Sequence, residues 1–304
     1  MKFLLIGAGG QLGQALRESL SRLGEVRALG RAELDLSLPL EAMARLRYLS
    51  EAFLPDVVVN AAAFTAVDKA ESEPELALAV NAQSVAEIAK FATHCGALLV
   101  HYSTDYVFDG LAHAPWREDD APHPLSIYGH SKWLGEKAAS QHCPRHLILR
   151  TSWVVSAQGS NFLKTILRLA GERESLRVVA DQVGAPTCTE LISRATIRAL
   201  GALAGAGEGD ARWGTYHLAA SGETSWCEYA RHVVAGAWSR GAQLRLRPEC
   251  IEAITTAQYP LPAPRPLNSR LDTQKFRRTF DMPLADWREG VDDVLDHLIP
   301  RTRT

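Results

Sequence analysis

A tyrosine and a lysine lie four positions apart, as Tyr128 and Lys132, in the stretch SIYGHSKWLGEKAA, residues 126–139. The stretch is typical of an amphipathic helix, on which residues four apart share one face, so both side chains can act on one site. A phenol is a poor acid or base at neutral pH, and a neighbouring ammonium group favours its ionised form. We therefore expect Lys132 to lower the pKa of Tyr128 into a range that suits proton transfer. The spacing also occurs by chance on exposed helices, so other residues must support it.

The string HYSTDYVFDG, just upstream, supplies two further polar candidates. It follows a predicted parallel strand, at the edge of the sheet where such folds bind ligands. Thr104 can donate a hydrogen bond to a substrate oxygen or adjust Tyr128, and Asp105 can orient a hydroxyl or assist its protonation. The alternative is a β-turn capped by Asp105 and Asp109. We predict that Thr104, Tyr128 and Lys132 are catalytic. Thr104 and Asp105 are also predicted to contact the substrate.

The first half of the chain predicts the scaffold that positions these residues. Apolar runs alternate with helical segments, and helical crossovers between such runs indicate a parallel sheet covered on both faces. The predicted fold class is therefore α/β, a Rossmann-type doubly wound parallel sheet. The predicted strands are KFLLIG at 2–7, EVRALG at 25–30, DVVVN at 56–60, ALLVHYS at 97–103 and HLILRTS at 146–152. The predicted helices are 11–24, 39–53, 73–94 and the helix that carries Tyr128.

The second half is predicted to form mainly a smaller C-terminal substrate-binding lobe, residues 151–304, over the open side of the sheet built by residues 1–150. The segment of about 189–220 is a candidate to return to the main sheet. The elements expected in this half are a helix at 161–172, a short strand near 177–180, a helix from about 189 and a strand in TYHLAA, 215–220.

Three glycines, Gly7, Gly10 and Gly13, separate the first predicted strand from the first helix. This GxxGxxG spacing allows a tight turn, close approach of the backbone to a pyrophosphate, and close packing of helix on strand. The amides and the dipole at the helix N-terminus favour the phosphate charge. We therefore predict that residues 1–150 bind NAD(P), with a purely structural glycine turn as the alternative.

The end of the second strand bears on which nicotinamide cofactor binds. An acid at that point holds the adenosine ribose, whereas an arginine suits a 2′-phosphate. Gly30 stands in place of an acid and Arg31 follows it, so NADPH is expected, with NADH as the alternative. Asp35 can instead serve the adenine. After the third strand, the small alanines at 61–63 permit approach of a flat cofactor, or equally close packing of sheet on helix.

Composition argues against several other classes of protein. The formal net charge is −2, which gives no sign of a nucleic-acid or membrane-surface partner. No apolar run approaches the length of a membrane span. The five cysteines include no CxxC pair, which favours a reducing, cytoplasmic setting over a disulfide framework. The ten histidines include no HExxH motif, so a catalytic metal has no support.

With these residues assembled, the chain resembles the extended short-chain dehydrogenase/reductase superfamily and, within it, the dTDP-4-dehydrorhamnose reductase family. The resemblance spans nearly the whole chain. It implies NADPH-dependent reduction of the C4 keto group of a dTDP-linked ketosugar, dTDP-4-dehydro-L-rhamnose, to dTDP-L-rhamnose. It is carried by the glycine turn and by VNAAAFTAVDKAESEPELALAVNA, HYSTDYVFDG, YGHSKWLGE, RTSWVV, DQVGAPT and RPLNSRLD.

The resemblance also implies roles for single residues. Tyr128 would protonate the C4 oxygen, while Lys132 would lower the Tyr128 pKa and bind the nicotinamide ribose. Thr104 would complete the triad and, with Asp105, touch the sugar. Trp153 in RTSWVV would pack on the deoxysugar nucleotide. The predicted cofactor contacts are Gly7, Gly10, Gln11, Leu12, Gly13, Gly30, Arg31, Asp35, Leu36, Ala62, Ala63, Thr65, Tyr102, Tyr128 and Lys132.

One departure from the family concerns magnesium. Some members dimerise around magnesium held by glutamates from the first helix, the second lobe and the C-terminal helix. The corresponding positions here are Ala15, Glu190 and Asp292. A bridging Mg²⁺ ion is therefore in doubt, and so is that mode of homodimer formation.

Three further points stay open at the level of sequence. A sugar-nucleotide dehydratase or epimerase is one rival, although Tyr106 stands where dehydratases carry a second acid after Thr104-Asp105. A non-catalytic regulatory subunit, like the one in methionine adenosyltransferase, is another. Arg265 or Arg270, in or beside RPLNSR, can pair with a diphosphate or form a structural ion pair.

Overall fold

The computed structural model describes residues 1–299, so residues 300–304 of the predicted C-terminal lobe lie outside the described residues. Its strands are β1 Lys2–Ile6, β2 Glu25–Leu29, β3 Val57–Asn60, β4 Leu98–Thr104, β5 His146–Thr151, β6 Val154–Val155, β7 Leu176–Val179, β8 Val183–Gly184, β9 Thr187–Cys188, β10 Gly214–His217, β11 Thr224–Ser225 and β12 Ile251–Ile254. Its helices are α1 Gln11–Ser21, α2 Pro39–Ala52, α3 Val67–Ser72, α4 Pro74–Leu78, α5 Ser84–His94, α6 Ile127–His142, α7 Phe162–Glu172, α8 Thr189–Ala202, α9 Trp226–Ser239, α10 Gln274–Phe280 and α11 Trp287–Leu298.

A six-stranded sheet in the order β10-β5-β4-β3-β1-β2 organises the chain, and all of its strand pairs are parallel. Successive residues of β1 face opposite layers: Phe3 and Leu5 pack with α1 and α8, while Leu4 and Ile6 pack with α2 and α5. Burial on both faces explains why the central strands are continuous apolar runs. The predicted α/β, doubly wound fold class is confirmed.

The order in which strands are added to the sheet reverses at β1. The chain adds β2 on one side of β1 and then β3 on the other side. Such a switch point leaves a crevice at the carboxyl ends of the strands, where ligands of this fold bind. Gly7 follows β1 there with φ +84°, and a Cβ on it would lie 2.5 Å from the Ala62 backbone nitrogen. Only glycine allows the loops after β1 and β3 to approach so closely.

The segment from 189 to 217 contributes a helix to one layer over the main sheet and a strand to the sheet itself. Helix α8 packs against α1, and β10 pairs with β5. The rest of the second half forms three short strand pairs, β6-β9, β7-β12 and β8-β11, covered by α7, α9 and α11. The division into domains at residue 150 stays a prediction. No helix among residues 1–299 is long and apolar enough to cross a membrane.

The helical stretch predicted over 73–94 is confirmed, and within it α4 and α5 are joined by a π-helical turn, Ala79–Gln83. The turn carries Asn81, whose amide accepts from the Phe64 backbone N–H at 2.8 Å and donates to the Phe64 carbonyl at 3.0 Å. The same amide nitrogen also donates to Ser131 Oγ at 3.0 Å. The wider turn therefore accompanies a buried polar link between this helix, the loop after β3 and α6.

Gly13 provides a test of the packing that shapes the glycine turn. A Cβ on Gly13 would overlap the Gly7 carbonyl oxygen, whereas a Cβ on Gly9 meets no atom within 4 Å. We expect Gly13→Ala to lower the free energy of unfolding by about 2–3 kcal/mol, as overpacking does. The control, Gly9→Ala, is expected to change it by less than ~0.5 kcal/mol. Chemical denaturation measures both, and equal effects of the two changes would contradict the packing described.

Candidate active site

The turn after β4 places Thr104 and Asp105 at the carboxyl edge of the sheet. Thr104 Oγ1 accepts a hydrogen bond from the Tyr106 backbone N–H at 3.2 Å and donates to Asp105 Oδ1 at 3.1 Å. Asp109 caps the following bend by accepting from the Leu111 N–H at 2.9 Å. The turn interpretation therefore holds for Asp109, whereas Asp105 does not cap the turn.

Helix α6 begins against that turn and brings Tyr128 to it. Ser126 caps the helix by accepting from the Gly129 N–H at 3.1 Å. A Cβ on Gly129 would overlap the Tyr106 carbonyl oxygen, so this glycine is what lets the helix approach. The rings of Tyr128 and Tyr106 then meet edge to face, with centroids 5.7 Å apart. Sequence reasoning missed Gly129, although a glycine directly after the candidate tyrosine was a visible signal.

The protonation of Tyr128 differs from the expectation. Loss of water around its ring raises the pKa of Tyr128 to about 12, an effect that Thr104 opposes and the Asp105 charge reinforces. The Lys132 ammonium does not point at the phenol, because Nζ donates to the Tyr102 carbonyl at 2.6 Å. The predicted lowering of the Tyr128 pKa is therefore wrong for the protein by itself. Tyr128 is a protonated phenol at neutral pH, the form that can give a proton.

Lys132 is 2% exposed, which is unusual for a lysine. Burial lowers the pKa of Lys132 to about 8, and the Glu136 charge opposes this shift. Glu136 is itself held by Arg150, with Nε to Oε1 at 2.8 Å and NH2 to Oε2 at 2.7 Å. Tyr128, Lys132 and Glu136 thus occupy successive turns of one face of α6.

Asp105 is 2% exposed, and its Oδ2 has no hydrogen-bond partner among residues 1–299. Burial raises the pKa of Asp105 to about 6, while the Ser269 and Thr104 hydroxyls oppose the shift. Ser269 comes from RPLNSR, and its backbone N–H donates to the Val183 carbonyl at 2.8 Å. The loops 181–187 and 265–270 therefore meet beside the candidate catalytic residues.

The N-terminus of α1 fits the phosphates of a dinucleotide. Its N-cap, Gly10, has no side chain to bond the first amides, and the first turn contains no acidic residue. Gly10 is exposed, Gly13 packs on Gly7, and the Leu12 side chain is buried in the core. Gln11 Oε1 accepts from Asn161 Nδ2 at 2.8 Å, which ties this turn to α7. No side chain among residues 1–299 caps these amides, so they can bind an anion.

The end of β2 carries an acid that the sequence interpretation did not assign. Glu33 Oε2 accepts from the Gly30 backbone N–H at 2.9 Å, so a carboxylate stands at the strand end despite the glycine. Arg31 is 80% exposed, with Nε 3.9 Å from Asp35 Oδ1. Hydrogen bonds from Ser37 lower the pKa of Asp35. This strand end therefore offers both a carboxylate, which can accept from a ribose hydroxyl, and a guanidinium, which can pair with a 2′-phosphate.

The other predicted cofactor contacts fall into two groups. Ala62, Ala63 and Thr65 follow β3 at the crevice, partly or fully accessible. Leu36 is buried in the core, and the Tyr102 hydroxyl is bonded to Thr196 Oγ1 at 2.7 Å, away from the crevice. The Tyr102 backbone carbonyl, in contrast, accepts a hydrogen bond from Lys132 Nζ. The side chains of Leu36 and Tyr102 are therefore not available to a ligand in this structure.

Trp153 adopts a left-handed backbone conformation, φ +46°, which is costly for a bulky residue and typical of functional sites. Its ring stacks on Trp226, with centroids 3.6 Å apart and an interplanar angle of 14°. A Cβ on Gly184, in DQVGAPT, would lie 2.7 Å from the indole. The Trp153 ring therefore packs against Trp226 and Gly184. Sequence reasoning singled out DQVGAPT but gave Gly184 no role of its own, and it missed Trp226, which no local motif marks.

Both arginines of the RPLNSR region are engaged within the protein. Arg265 binds Asp68 with two bonds of 2.6 and 2.7 Å, and Arg270 binds Glu223 at 2.9 Å. The structural ion pair is therefore the arrangement found for both. The first of these pairs joins α3 to the loop after β12 and so links the two halves of the chain.

The positions aligned with the family's magnesium ligands have other partners. The Ala15 carbonyl accepts from Ser193 Oγ at 3.3 Å, and Asp292 Oδ1 lies 3.2 Å from His232 Nε2 and 3.6 Å from Arg240 NH2. Glu190 accepts from its neighbour Thr189 at 3.1 Å. Residues 1–299 contain no group of three or more His, Cys, Asp or Glu side chains arranged to hold a metal. These residues do not fit a magnesium site within one chain.

Asp105 generates a pH-dependent prediction. Its folded pKa of about 6 exceeds the ordinary value of 3.8, so the folded state retains a proton that the unfolded state loses in this interval. Stability therefore falls as pH rises from about 4 to about 6, by at most about 3 kcal/mol. Asp105→Asn should remove this loss, so that wild type weakens relative to the variant between pH 4 and pH 7 in urea denaturation. The control is Asp119→Asn at an exposed carboxyl, and a wild type that keeps pace with D105N across this range would refute the shift.

Comparison with known proteins agrees with this geometry. Residues 1–299 match the family model described as RmlD substrate binding domain. The chain is 48% identical to a dTDP-4-dehydrorhamnose reductase of Salmonella typhimurium, covering 99% of each chain. A crystal structure of such a reductase from Clostridium acetobutylicum has 33% identity, a TM-score of 0.88, and coverage of 98% of this chain and 99% of its own. One from Bacillus anthracis, in complex with NADP, has 30% identity, a TM-score of 0.86, and coverage of 97% of this chain and 99% of its own.

The resemblance drawn from the motifs is confirmed: the chain is an oxidoreductase that belongs to the RmlD substrate binding domain family, the family of the dTDP-4-dehydrorhamnose reductases.

Proposed function

We propose that the protein reduces the C4 keto group of dTDP-4-dehydro-L-rhamnose to a hydroxyl, forming dTDP-L-rhamnose, with NADPH as the preferred electron donor. The observation that carries this proposal is the meeting of Thr104, Asp105 and protonated Tyr128 at the carboxyl edge of the sheet, the edge that also carries the uncapped N-terminus of α1. The names of the relatives support the substrate, and the NADP complex of the Bacillus anthracis relative supports the cofactor.

Bound NADPH would supply the hydride that adds to the carbonyl carbon. As the carbon–oxygen double bond becomes a single bond, its electron pair moves to the oxygen and takes the proton of Tyr128. The products are the sugar hydroxyl and a Tyr128 phenolate, which regains a proton from solvent. Thr104, bonded to Tyr128 and to Asp105, orients the phenol towards the substrate oxygen. The residues of one chain therefore provide the acid and its alignment.

The alternative chemistries of the superfamily need groups that this site lacks or does not use. Elimination of water calls for a second acid after Asp105, and Tyr106 occupies that position with its pKa raised by burial. An epimerase regenerates its cofactor within each cycle, so added NADPH would not be consumed. Stoichiometric oxidation of NADPH with the ketosugar therefore separates reduction from epimerisation, and from a purely regulatory role.

We place the reaction in the cytoplasm, where the five free thiols of the protein would stay reduced. A homodimer stays a prediction. Sedimentation with and without Mg²⁺ would test it, since the aligned magnesium positions are occupied by protein contacts.

Tyr128→Phe removes the proposed proton donor while keeping the ring. We expect reduction of dTDP-4-dehydro-L-rhamnose to slow by at least ~100-fold, the scale of a lost general acid, with NADPH affinity retained. Tyr48→Phe is the control, because Tyr48 is exposed on α2. Initial rates and cofactor fluorescence titration measure the two quantities. Turnover of Y128F at the wild-type rate would exclude Tyr128 as the donor.

Arg31→Ala tests the preference for NADPH. If the exposed guanidinium pairs with the 2′-phosphate, kcat/KM for NADPH should fall by about 10-fold, about 1.4 kcal/mol, and that for NADH by less than ~2-fold. Arg22→Ala removes an exposed arginine at the far end of α1 and serves as the control. Equal losses with both cofactors would show that Arg31 does not read the phosphate.

A further inference from the structure

The tryptophan that follows β5 is enclosed in a way that the proposed reaction does not explain. Trp153 is partly exposed, and its ring stacks on Trp226, the first residue of α9, with centroids 3.6 Å apart. Trp226 in turn contacts Phe162 and the buried Tyr229, at centroid distances of 4.6 and 6.1 Å. One face of the Trp153 ring is therefore covered by an aromatic cluster that continues into the core.

Gly184 covers the opposite face of the Trp153 ring. A Cβ on Gly184 would lie 2.7 Å from Cε2 of the indole, 2.9 Å from Cζ2 and 3.1 Å from Nε1. Cε2 is bonded to the other two atoms, and a Cβ that approached this edge in the ring plane would lie closer to them than to Cε2. Gly184 therefore lies over a face. Because two rings 3.6 Å apart leave no room for an atom between them, it is the face that Trp226 leaves open.

A ring with both faces covered can offer a ligand only its edge. The edge of an aromatic ring carries positive partial charge, and the edge of an indole also carries the Nε1–H donor. No residue in the described range, 1–299, accepts a hydrogen bond from Trp153 Nε1. The strained backbone of Trp153, φ +46°, is held by the Thr187 N–H, which donates to the Trp153 carbonyl at 3.2 Å. The donor at this edge is thus fixed in place and unused by the protein.

The Trp226 ring is itself fixed by hydrogen bonds of known direction. An indole nitrogen only donates, so Trp226 Nε1 must donate to Gln182 Oε1, 3.1 Å away. The other end of this amide, Nε2, donates to Thr256 Oγ1 at 3.0 Å, and Thr256 Oγ1 donates to Asp181 Oδ1 at 2.7 Å. Gln182 is 7% exposed. Its buried amide therefore holds Trp226 against Trp153.

The position of Trp153 along the sheet brings it to the candidate catalytic residues. Thr151, the last residue of β5, is in register with Thr104 at the end of β4. Trp153 follows two residues later and so lies at the same carboxyl edge, where the ketosugar is proposed to bind. A sugar nucleotide at this edge carries two kinds of oxygen that can accept a hydrogen bond, the sugar hydroxyls and the diphosphate.

We propose that Trp153 binds the sugar nucleotide edge-on, by donating a hydrogen bond from Nε1–H to a ligand oxygen, and that Trp226, Gly184 and Gln182 are positioning residues that fix this edge. The inference rests on the proposed function for the identity of the ligand. It differs from the packing of the Trp153 ring on the deoxysugar that the family resemblance implies, because both faces of the ring are already covered.

Nitrogen-15 NMR of the indole N–H groups tests the proposal in the unmodified protein. Saturation with dTDP-L-rhamnose, the product of the proposed reaction, should move the Trp153 N–H proton signal downfield, as a new hydrogen bond does. The signal is assigned from its absence in Trp153→Phe. Trp226 is the internal control, because its N–H is bonded to Gln182 without any ligand. Bound dTDP-L-rhamnose with an unmoved Trp153 signal would overturn the proposal.

A titration with dTDP, which lacks the sugar, identifies the accepting oxygen. If dTDP moves the Trp153 signal as far as dTDP-L-rhamnose does, the acceptor is a diphosphate oxygen. If only dTDP-L-rhamnose moves it, the acceptor is a sugar hydroxyl. Both results support the edge-on contact. W153F keeps a ring but has no N–H, so its affinity for dTDP-L-rhamnose should fall by about 5-fold, the scale of one hydrogen bond.

Trp226→Leu tests the positioning role, because it uncovers one face of Trp153 and leaves the Trp153 N–H in place. We expect affinity for dTDP-L-rhamnose to fall by about 10-fold and NADPH affinity to change by less than ~2-fold. The ligand-induced shift of the Trp153 signal should also be lost. Trp238→Leu is the matched control: Trp238 is partly buried on the same helix, and its Nε1 donates to the Leu246 carbonyl at 2.9 Å. Calorimetry measures the affinities, and equal losses in W226L and W238L would exclude the positioning role.

The outcomes separate this inference from the proposed function. If dTDP-L-rhamnose moves the Trp153 signal but the ketosugar is not reduced with NADPH, the proposed function fails and the edge-on contact stands. If the ketosugar is reduced but W153F binds dTDP-L-rhamnose as tightly as wild type, the inference fails and the proposed function stands.

Discussion

The close approach of α6 to the sheet is the constraint on which the site depends. Two glycines of this helix allow it to lie close to its neighbours: a Cβ on Gly129 would overlap the Tyr106 carbonyl oxygen in the turn after β4, and one on Gly135 would overlap the Asn81 carbonyl oxygen in the π-helical turn. Because the helix lies so near, Tyr128 reaches the turn after β4 and Lys132 is carried beneath it. A helix held farther out would leave that lysine hydrated, as most lysines are.

The same approach turns an exposed-looking helix face into a buried polar layer. Lys132 bonds to the backbone of β4, and Glu136 forms a bidentate pair with Arg150 of β5. Buried charges of this kind are stable only when each is paired or neutralised. The site therefore combines a protonated Tyr128 at the crevice with a Glu136–Arg150 pair below it whose charges cancel.

Sequence reasoning was reliable where the residues that determine an element lie in one contiguous segment of the sequence. The strand–glycine–helix start, the string around Thr104 and the spacing of Tyr128 and Lys132 predicted the fold class and the elements that carry the candidate site. It failed where a property depends on residues brought together from separate elements. The direction of Lys132 is set by the Tyr102 carbonyl and by His101, so spacing along α6 could not give the sign of the Tyr128 pKa shift. Trp226 meets Trp153 across 73 positions of sequence, and neither residue's local pattern announces the other.

At the end of β2, a carboxylate from Glu33 and a guanidinium from Arg31 stand within one short bend outside the sheet. Neither side chain takes part in the buried polar layer below α6. Under the proposed function, exchanging single surface residues in this bend would change the preferred nicotinamide cofactor without disturbing the groups proposed to contact the sugar. Adaptation to a changed cellular ratio of NADPH to NADH would then appear as substitutions in this bend, while the residues proposed to be catalytic would stay the same.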